Sequence, residues 1–160
     1  MEELLEEYLK DSEIGYHKDY DEDGDPIFNM ECTLEHGDFP IFVINAREYD
    51  SVNLYVKSPI KIPEPKRNAV AEYITRANYH NYEGALMLDF DDGNLFYKTA
   101  LRYDPKADLE HIPYQLSISL GLGMDEMETH FPGILNVLYK DMEPSQALTK
   151  AEYGSNAKLN

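Results

Sequence analysis

The sequence predicts an α+β domain in which helices pack against an antiparallel sheet, and three observations lead to this prediction. Helical periodicity opens the chain, four short strand-like segments follow, and an Asp-Gly hairpin lies between two later helical segments. The predicted order is α-β-β-β-(β)-α-β-β-α. We expect one domain over residues 1–150 and a frayed tail over residues 151–160.

The first helix is predicted over residues 2–13. Its apolar positions share one helical face, at Leu4, Leu5, Tyr8 and Leu9. Glutamates fill its first two turns, where the helix dipole favours negative charge, and Gly15 provides a stop. Breaks rich in Asp, Gly and Pro then separate four predicted strands, at about 16–20, 26–34, 39–45 and 51–57.

One of these strands differs from the others in its pattern. Val52, Leu54 and Val56 alternate with polar residues, as in a half-buried strand, but Ile41–Ile44 is apolar at every position. The second pattern predicts a central strand that is covered on both faces. The following link, residues 58–65, is too rich in proline for a helix interior and predicts an extended connection.

The second half begins with a predicted helix over residues 64–79. Its apolar stripe consists of Ala69, Val70, Tyr73, Ile74 and Ala77. Strands at 85–90 and 95–103 flank an Asp-Gly turn, which is the strongest hairpin signal in the chain. Residues 108–140 have helical periodicity, and three helix-weakening residues within them predict a kink or a split: Gly121, Gly123 and Pro132.

The chain is strongly acidic, with a net charge of −17. The first 25 residues hold eleven carboxylates and two lysines, which is over half of that charge. Such acidity disfavours nucleic acids and anionic membranes, attracts basic partner segments, and also serves solubility alone. No apolar run approaches the roughly 18 residues of a membrane helix, and the N-terminus lacks the basic start of a secretory signal, so we expect a cytoplasmic protein.

Two features carry weak metal or thiol signals. Asp19, Asp21 and Asp23 match the first half of a calcium loop, but Met30 stands where that loop needs a bidentate Glu. We therefore expect an acidic hairpin turn, and a weak calcium-responsive binder stays an alternative. Cys32 lies between glutamates, which predicts a small buried apolar residue rather than a reactive thiolate.

Catalytic motifs are missing from the sequence. No two histidines have zinc-type spacing, and neither Gly-x-Ser-x-Gly nor a Walker loop occurs. The histidines are His17, His36, His80, His111 and His130. We expect no enzyme and no cofactor. The alternative is a small enzyme whose site is assembled by the fold from Asp89, Asp91, Asp92, Glu83 and His80.

Tyrosine is the one residue type in clear excess, with thirteen copies. Tyrosines concentrate at protein interfaces because they bury a large ring and keep a polar tip. Those near the second helix and the hairpin are Tyr73, Tyr79, Tyr82, Tyr97 and Tyr103. Together with the acidity, this excess favours a non-enzymatic protein-binding module, although ordinary core and rim tyrosines explain it as well.

Four segments within residues 60–148 carry a family pattern: IPEPKRNAVAEYITRAN at 62–78, GALMLDFDDG at 84–93, FPGILNVLY at 131–139 and PSQAL at 144–148. In this order they resemble the YbjN domain family. The resemblance implies a fold like that of type III secretion chaperones, α-β-β-β-α-β-β-α and often dimeric. Members are described as candidate sensory transduction regulators, with no catalytic residues to transfer. The resemblance therefore implies a protein-binding regulator or a chaperone-like module.

A homodimer is the last expectation. The small residues of the second helix allow close approach of a copy, and Lys66 and Arg67 at its start reduce the collision of acidic surfaces. The other reading is that this stripe packs on the domain's own sheet. Because copies at −17 repel each other, we expect high salt to tighten such a dimer.

Overall fold

The computed structural model describes residues 1–81 and 83–156, the last three by their backbone alone. Four helices and six strands lie within these residues. In chain order they are α1 Glu2–Asp11, β1 His17–Tyr20, β2 Pro26–Leu34, β3 Gly37–Ala46, β4 Ser51–Lys57, α2 Arg67–Ala77, β5 Ala85–Leu88, β6 Leu95–Arg102, α3 Ile112–Tyr139 and α4 Pro144–Asn156. The predicted α+β class and the order through α3 are confirmed, including the optional fourth strand.

The six strands form one antiparallel sheet in the order β1-β2-β3-β4-β6-β5. Hairpins join the first four strands, and the crossover through α2 lets β6 pair with β4 and leaves β5 at the edge. Both edge strands have four residues. Short edge strands limit pairing with other chains.

The helices cover one face of this sheet. Leu5 and Leu9 of α1 are fully buried in the core, and α3 packs against β4 and β6. At Gly123 of α3 an added Cβ would lie 2.8 Å from Val56 and 3.1 Å from Tyr97. The absence of a side chain at Gly123 therefore lets α3 lie close to the sheet.

The opposite face, here called the outer sheet face, carries the residues of β1 to β6 that point away from the helices. Ile41 and Val43 are buried beneath the helices, but Phe42 and Ile44 lie half-buried on the outer sheet face. β3 is therefore a central strand covered on one face, and the prediction of cover on both faces is wrong. Apolar pattern alone did not distinguish a covered face from an exposed aromatic one.

The α3 helix runs without a break from Ile112 to Tyr139, so the predicted split is wrong. Pro132 removes one backbone hydrogen bond, at a usual cost of about 3 kcal/mol. Phe131 and Ile134 on either side of it are buried in the core, and this packing holds the helix together.

A further helix, α4, was not predicted. It includes the first six residues of the segment expected to fray, and residues 157–160 lie outside the described part of the chain. α4 contacts α2 and α3 and buries Ala147 and Ala151. Two alanines four residues apart give too weak an apolar stripe for the sequence to indicate a helix.

Candidate functional site

A cleft opens between the segment that follows α2 and the middle of α3. It has a volume of about 240 Å³ and is lined by His80, Asn81, Glu83, Tyr97, Leu122 and Glu126. Sites for small molecules usually enclose roughly 300–1,000 Å³. This cleft is smaller, and its carboxylates and apolar Leu122 suit one or two side chains of a larger partner better than a whole metabolite.

Tyr97 on β6 lies beneath the cleft. Burial, together with the nearby carboxylates of Glu126 and Glu83, raises its pKa to about 12. An added Cβ at Gly84 would lie 2.4 Å from the Tyr97 hydroxyl, so glycine lets the chain pass over this ring. The phenol therefore stays neutral at physiological pH, and the carboxylates supply the charge of the cleft.

A chain of polar contacts positions Glu126. Its Oε2 accepts a hydrogen bond from Asn81 Nδ2 at 3.2 Å and lies 3.4 Å from Nε2 of the buried His130. The Tyr73 hydroxyl lies 3.1 Å from Nδ1 of the same histidine. Since Tyr73 and His130 are both buried, this chain fixes a partly exposed carboxylate from behind.

An apolar stripe on α3 leads away from the cleft. We call Tyr114, Ile118 and Leu122 the α3 stripe, since their spacing of four residues places them on one helical face. Tyr114 is 71 % exposed and Ile118 is 41 % exposed, while Leu122 reaches into the cleft. Large apolar side chains aligned on the outside of a helix are the usual anchors of a protein interface.

Carboxylates flank the α3 stripe at both ends. Glu83, Asp125 and Glu126 lie at or beside the cleft, and Asp108 and Glu110 precede the first turn of the helix. The stripe thus combines apolar anchors with an acidic border, which is the arrangement that a basic amphipathic segment would complement.

The α3 stripe is not among the sites expected from the sequence. Its signal was present as a second set of apolar residues, on the face of α3 opposite to the buried Ile112, Leu116 and Leu120. A helix that packs on a sheet with one face needs apolar residues on that face alone. The second set of apolar residues was therefore the signal in the sequence that indicated an exposed apolar surface.

The predicted calcium residues lie in the β1–β2 hairpin. Asp19 and Asp21 accept backbone hydrogen bonds from their own turn, Asp19 from Tyr20 and Asp21 from Asp23 and Asp25. Within residues 1–81 and 83–156, no three acidic, His or Cys side chains form a group that could hold a metal ion. The convergence that the calcium alternative requires is not found there.

The five residues of the proposed carboxylate site separate into two places. His80 and Glu83 line the cleft, whereas the other three lie in the β5–β6 turn. There Asp89 accepts the backbone N–H of Asp91 at 2.7 Å, and Asp92 pairs with Lys61 at 3.4 Å. These aspartates form the turn, as aspartates in hairpins commonly do.

Cys32 and the remaining histidines do not converge on one another. Burial, with a smaller effect of the Glu128 carboxylate, raises the pKa of the half-buried Cys32 thiol, which disfavours a reactive thiolate. His36 Nδ1 lies 2.6 Å from Glu128 Oε1. His17 is exposed on β1, and His111 precedes α3 without a capping side-chain bond.

The tyrosines expected at an interface have different environments. Tyr73 and Tyr97 are buried, and Tyr103 donates a hydrogen bond to Asn45 at 2.9 Å. Tyr79 is 83 % exposed beside His80, and Tyr82 lies outside the described residues. Of the described members of this set, Tyr79 alone is available to a partner.

The α2 stripe is not available for dimerisation. Val70, Tyr73, Ile74 and Ala77 are buried within the chain's own core. The interpretation of this stripe as a dimer face is therefore wrong, because it packs against α3, α4 and β5. At its start, Lys66 pairs with Asp141 and Arg67 with backbone carbonyls of the β5–β6 turn.

The described fold is that of an α+β protein with a six-stranded antiparallel sheet and helices on one face. It is similar to the crystal structure of YbjN from E. coli, described as "a putative transcription regulator", with a TM-score of 0.52 and 11 % identity over 78 % of this chain and 83 % of that chain. No family model and no curated protein sequence matches the chain. Among the described residues, every helix is too short or too polar to span a lipid bilayer.

Proposed function

We propose that this chain is a non-enzymatic, protein-binding regulator that binds a basic amphipathic segment of its partner along the α3 stripe. The observation that carries the proposal is the alignment of exposed Tyr114 and Ile118 with Leu122 in the acidic cleft. Apolar residues of the partner would cover the stripe, and a Lys or Arg would enter the cleft between Glu83 and Glu126.

The acidic N-terminal region is a weaker candidate for this role. The buried Leu5 and Leu9 of α1 point into the core, so its outer face offers charge without apolar anchors. Two of its glutamates, Glu2 and Glu6, are already paired with Lys18. Charge alone speeds encounter but contributes little specific affinity.

The solved neighbour adds general support. YbjN is described as "a putative transcription regulator", which agrees with a regulatory role for this chain. At 11 % identity the likeness concerns the fold alone. The partner class proposed for this chain therefore depends on the α3 stripe and its acidic border.

The test is affinity capture from cell lysate with the wild type and two matched variants. Tyr114→Ser/Ile118→Ser removes two anchors of the stripe, while Tyr139→Ser/Tyr153→Ser removes two tyrosines that are equally exposed elsewhere. We expect the wild type and the second variant to capture a partner that the first variant does not capture. Glu83→Gln should bind this partner more weakly than the wild type. A partner captured equally by all variants, or no enriched protein at low or high salt, would contradict the proposal.

A second candidate function is a small enzyme that uses the cleft. The observation that favours it is that the fold brings His80 and Glu83 together with Glu126. This candidate predicts a metabolite that raises the melting temperature of the wild type but not of His80→Ala or Glu83→Gln. The binding proposal expects no such compound from a metabolite library.

A further inference from the structure

The outer sheet face is divided into a basic half and an acidic half. Within the six described strands, the outward-facing cations lie on β4 and β6, and they are Lys57, Lys98 and Arg102. The outward-facing carboxylates lie on β1, β2 and β3, and they are Asp19, Glu31 and Asp38. Asp21 and Asp23 of the β1–β2 turn border the same concave surface on the acidic side.

Aromatic and apolar residues lie along the boundary between the two halves. Phe42 on β3 pairs directly with Tyr55 on β4, and Tyr55 meets Phe96 on β6 edge to face at 6.0 Å. Lys98 lies 5.0 Å from the centre of the Tyr55 ring, and Lys57 lies 5.8 Å from that of Phe96. The cations thus rest on the rings and keep their charged ends at the surface.

We propose that a second copy of this chain covers the outer sheet face in a symmetric dimer. A two-fold axis parallel to the strands, between β3 and β4, would place the basic half of each copy over the acidic half of the other. Phe42 of each copy would then face Tyr55 of the other at the centre, with the two sheets about 10 Å apart.

The charge pattern selects both this axis and this occupant. A two-fold axis at right angles to the strands would place cations over cations and carboxylates over carboxylates, and the repulsion of like charges opposes that arrangement. A purely acidic partner, including a nucleic acid, would be repelled by Asp19, Glu31 and Asp38. A second copy satisfies both halves at once.

The dimer is independent of the proposed function because it uses the opposite side of the molecule. The helices, and with them the α3 stripe, lie on the face of the sheet that points away from the dimer contact. A back-to-back dimer would present two α3 stripes on opposite surfaces. Each could bind a partner segment, with the gain in avidity that two linked sites provide.

Charge reversal with heteropairing tests the dimer. The first variant, Lys57→Glu/Lys98→Glu/Arg102→Glu, replaces the outward-facing cations of the strands with carboxylates. The second variant, Asp19→Lys/Glu31→Lys/Asp38→Lys, replaces the outward-facing carboxylates of the strands with cations. By sedimentation velocity at about 100 μM, we expect the wild type at twice the monomer mass and each variant alone as a monomer. We expect an equal mixture of the two variants to restore the dimer.

For each triple variant alone, the dissociation constant of the dimer should exceed that of the wild type by more than about 100-fold. Far-UV circular dichroism of each variant checks that it folds. A monomeric wild type, or variants that self-associate as tightly as the wild type, would overturn the proposal.

Cross-linking provides a second measurement if a triple variant fails to fold. In a Cys32→Ser background, Asn53→Cys lies near the proposed axis, whereas Thr75→Cys is exposed on α2. A bismaleimide of about 10 Å reach, the spacing of two packed sheets, should link Asn53→Cys into dimers and leave Thr75→Cys monomeric. Equal cross-linking of the two variants, or none of Asn53→Cys, would overturn the proposal.

Discussion

At the residue scale, two glycines in the middle of α3 have opposite environments. An added Cβ at Gly123 would lie 2.8 Å from Val56 and 3.1 Å from Tyr97, whereas at Gly121 nothing lies within 4 Å. The sequence marks both as helix-weakening residues and cannot distinguish them. The two glycines are distinguished only by their distance from the sheet: Gly123 lies where no side chain fits, whereas Gly121 has room for one.

The two substitutions should therefore change stability in opposite directions. We expect Gly123→Ala to destabilise the protein by about 1–3 kcal/mol through overpacking against the sheet. We expect Gly121→Ala to stabilise it by about 0.5–1 kcal/mol, because alanine favours the helix. Urea unfolding of both variants measures this, and a Gly123→Ala variant as stable as Gly121→Ala would contradict the described contact of α3 with β4 and β6.

The raised pKa of Tyr97 beneath the cleft makes the stability of the fold depend on pH in the alkaline range. Its pKa of about 12 in the folded chain lies above the ordinary value of about 10, so the folded state holds this proton more tightly than the unfolded state. The corresponding stability is complete below about pH 10 and is lost as the pH rises towards 12. Burial also raises the pKa of Tyr73, which adds to the same loss.

Replacing Tyr97 with Phe should remove its share of that loss. We expect the free energy of unfolding of Tyr97→Phe, relative to wild type, to rise by about 1–2 kcal/mol between pH 8 and pH 11.5. Urea unfolding at the two pH values, with Tyr139→Phe as the exposed control, measures the change. Parallel losses in wild type and Tyr97→Phe would show that this phenol ionises freely in the folded chain.

At the element scale, the end of α2 closes the edge of the sheet. The Asn78 side chain donates to the Leu86 carbonyl at 2.9 Å and accepts from the Leu86 amide at 2.8 Å. β5 is the last strand, so these backbone groups point away from β6 and would otherwise face solvent. The amide of Asn78 thus occupies the place of a neighbouring strand.

Removing this amide should both destabilise and expose the edge. We expect Asn78→Ala to lose about 1–3 kcal/mol and to aggregate at lower temperature. Asn78→Asp keeps the acceptor but has no donor for the Leu86 carbonyl, so it should fall between wild type and alanine. Thermal unfolding with light scattering measures both effects, and an unchanged melting temperature in Asn78→Ala would contradict the edge-closing role.

The elements show how far sequence reasoning reaches. Local signals placed all six strands and the first two helices, because alternation, turn chemistry and helical periodicity act within a few residues. They missed α4, whose burial of Ala147 and Ala151 depends on surfaces supplied by α2 and α3. Helices cover only one face of β3, and this depends on the side of the sheet on which the crossover places them. The periodicity of the sequence carries no information about that side.

The candidate site was predictable only in part for the same reason. His80 and Glu83 were identified as candidates, but Glu126 and Leu122 reach them from a distant part of the chain. The chain Asn81–Glu126–His130–Tyr73 joins segments that no local spacing connects. Composition indicated that the protein is acidic. It did not indicate that exposed apolar residues and carboxylates lie side by side on the α3 stripe.

At the scale of the whole molecule, charge and apolar surface are distributed unequally. Over half of the net charge of −17 lies in the first 25 residues, three cations line one half of the outer sheet face, and Tyr114 and Ile118 stand exposed on the α3 stripe. A surface that served solubility alone would mix both kinds of residue. The two surfaces lie on opposite sides of the molecule, so the proposed second copy and the proposed basic segment would not compete for the same face.

Chemical-shift mapping tests the binding role of the α3 stripe most directly. A synthetic amphipathic helix with leucines on one face and lysines on the other is titrated into the isotopically labelled protein. We expect perturbations at Tyr114, Ile118, Leu122 and Glu83 that disappear in Tyr114→Ser/Ile118→Ser. Perturbations confined to the acidic face of α1, or unchanged in that variant, would show that the peptide follows charge alone and would contradict the proposed function.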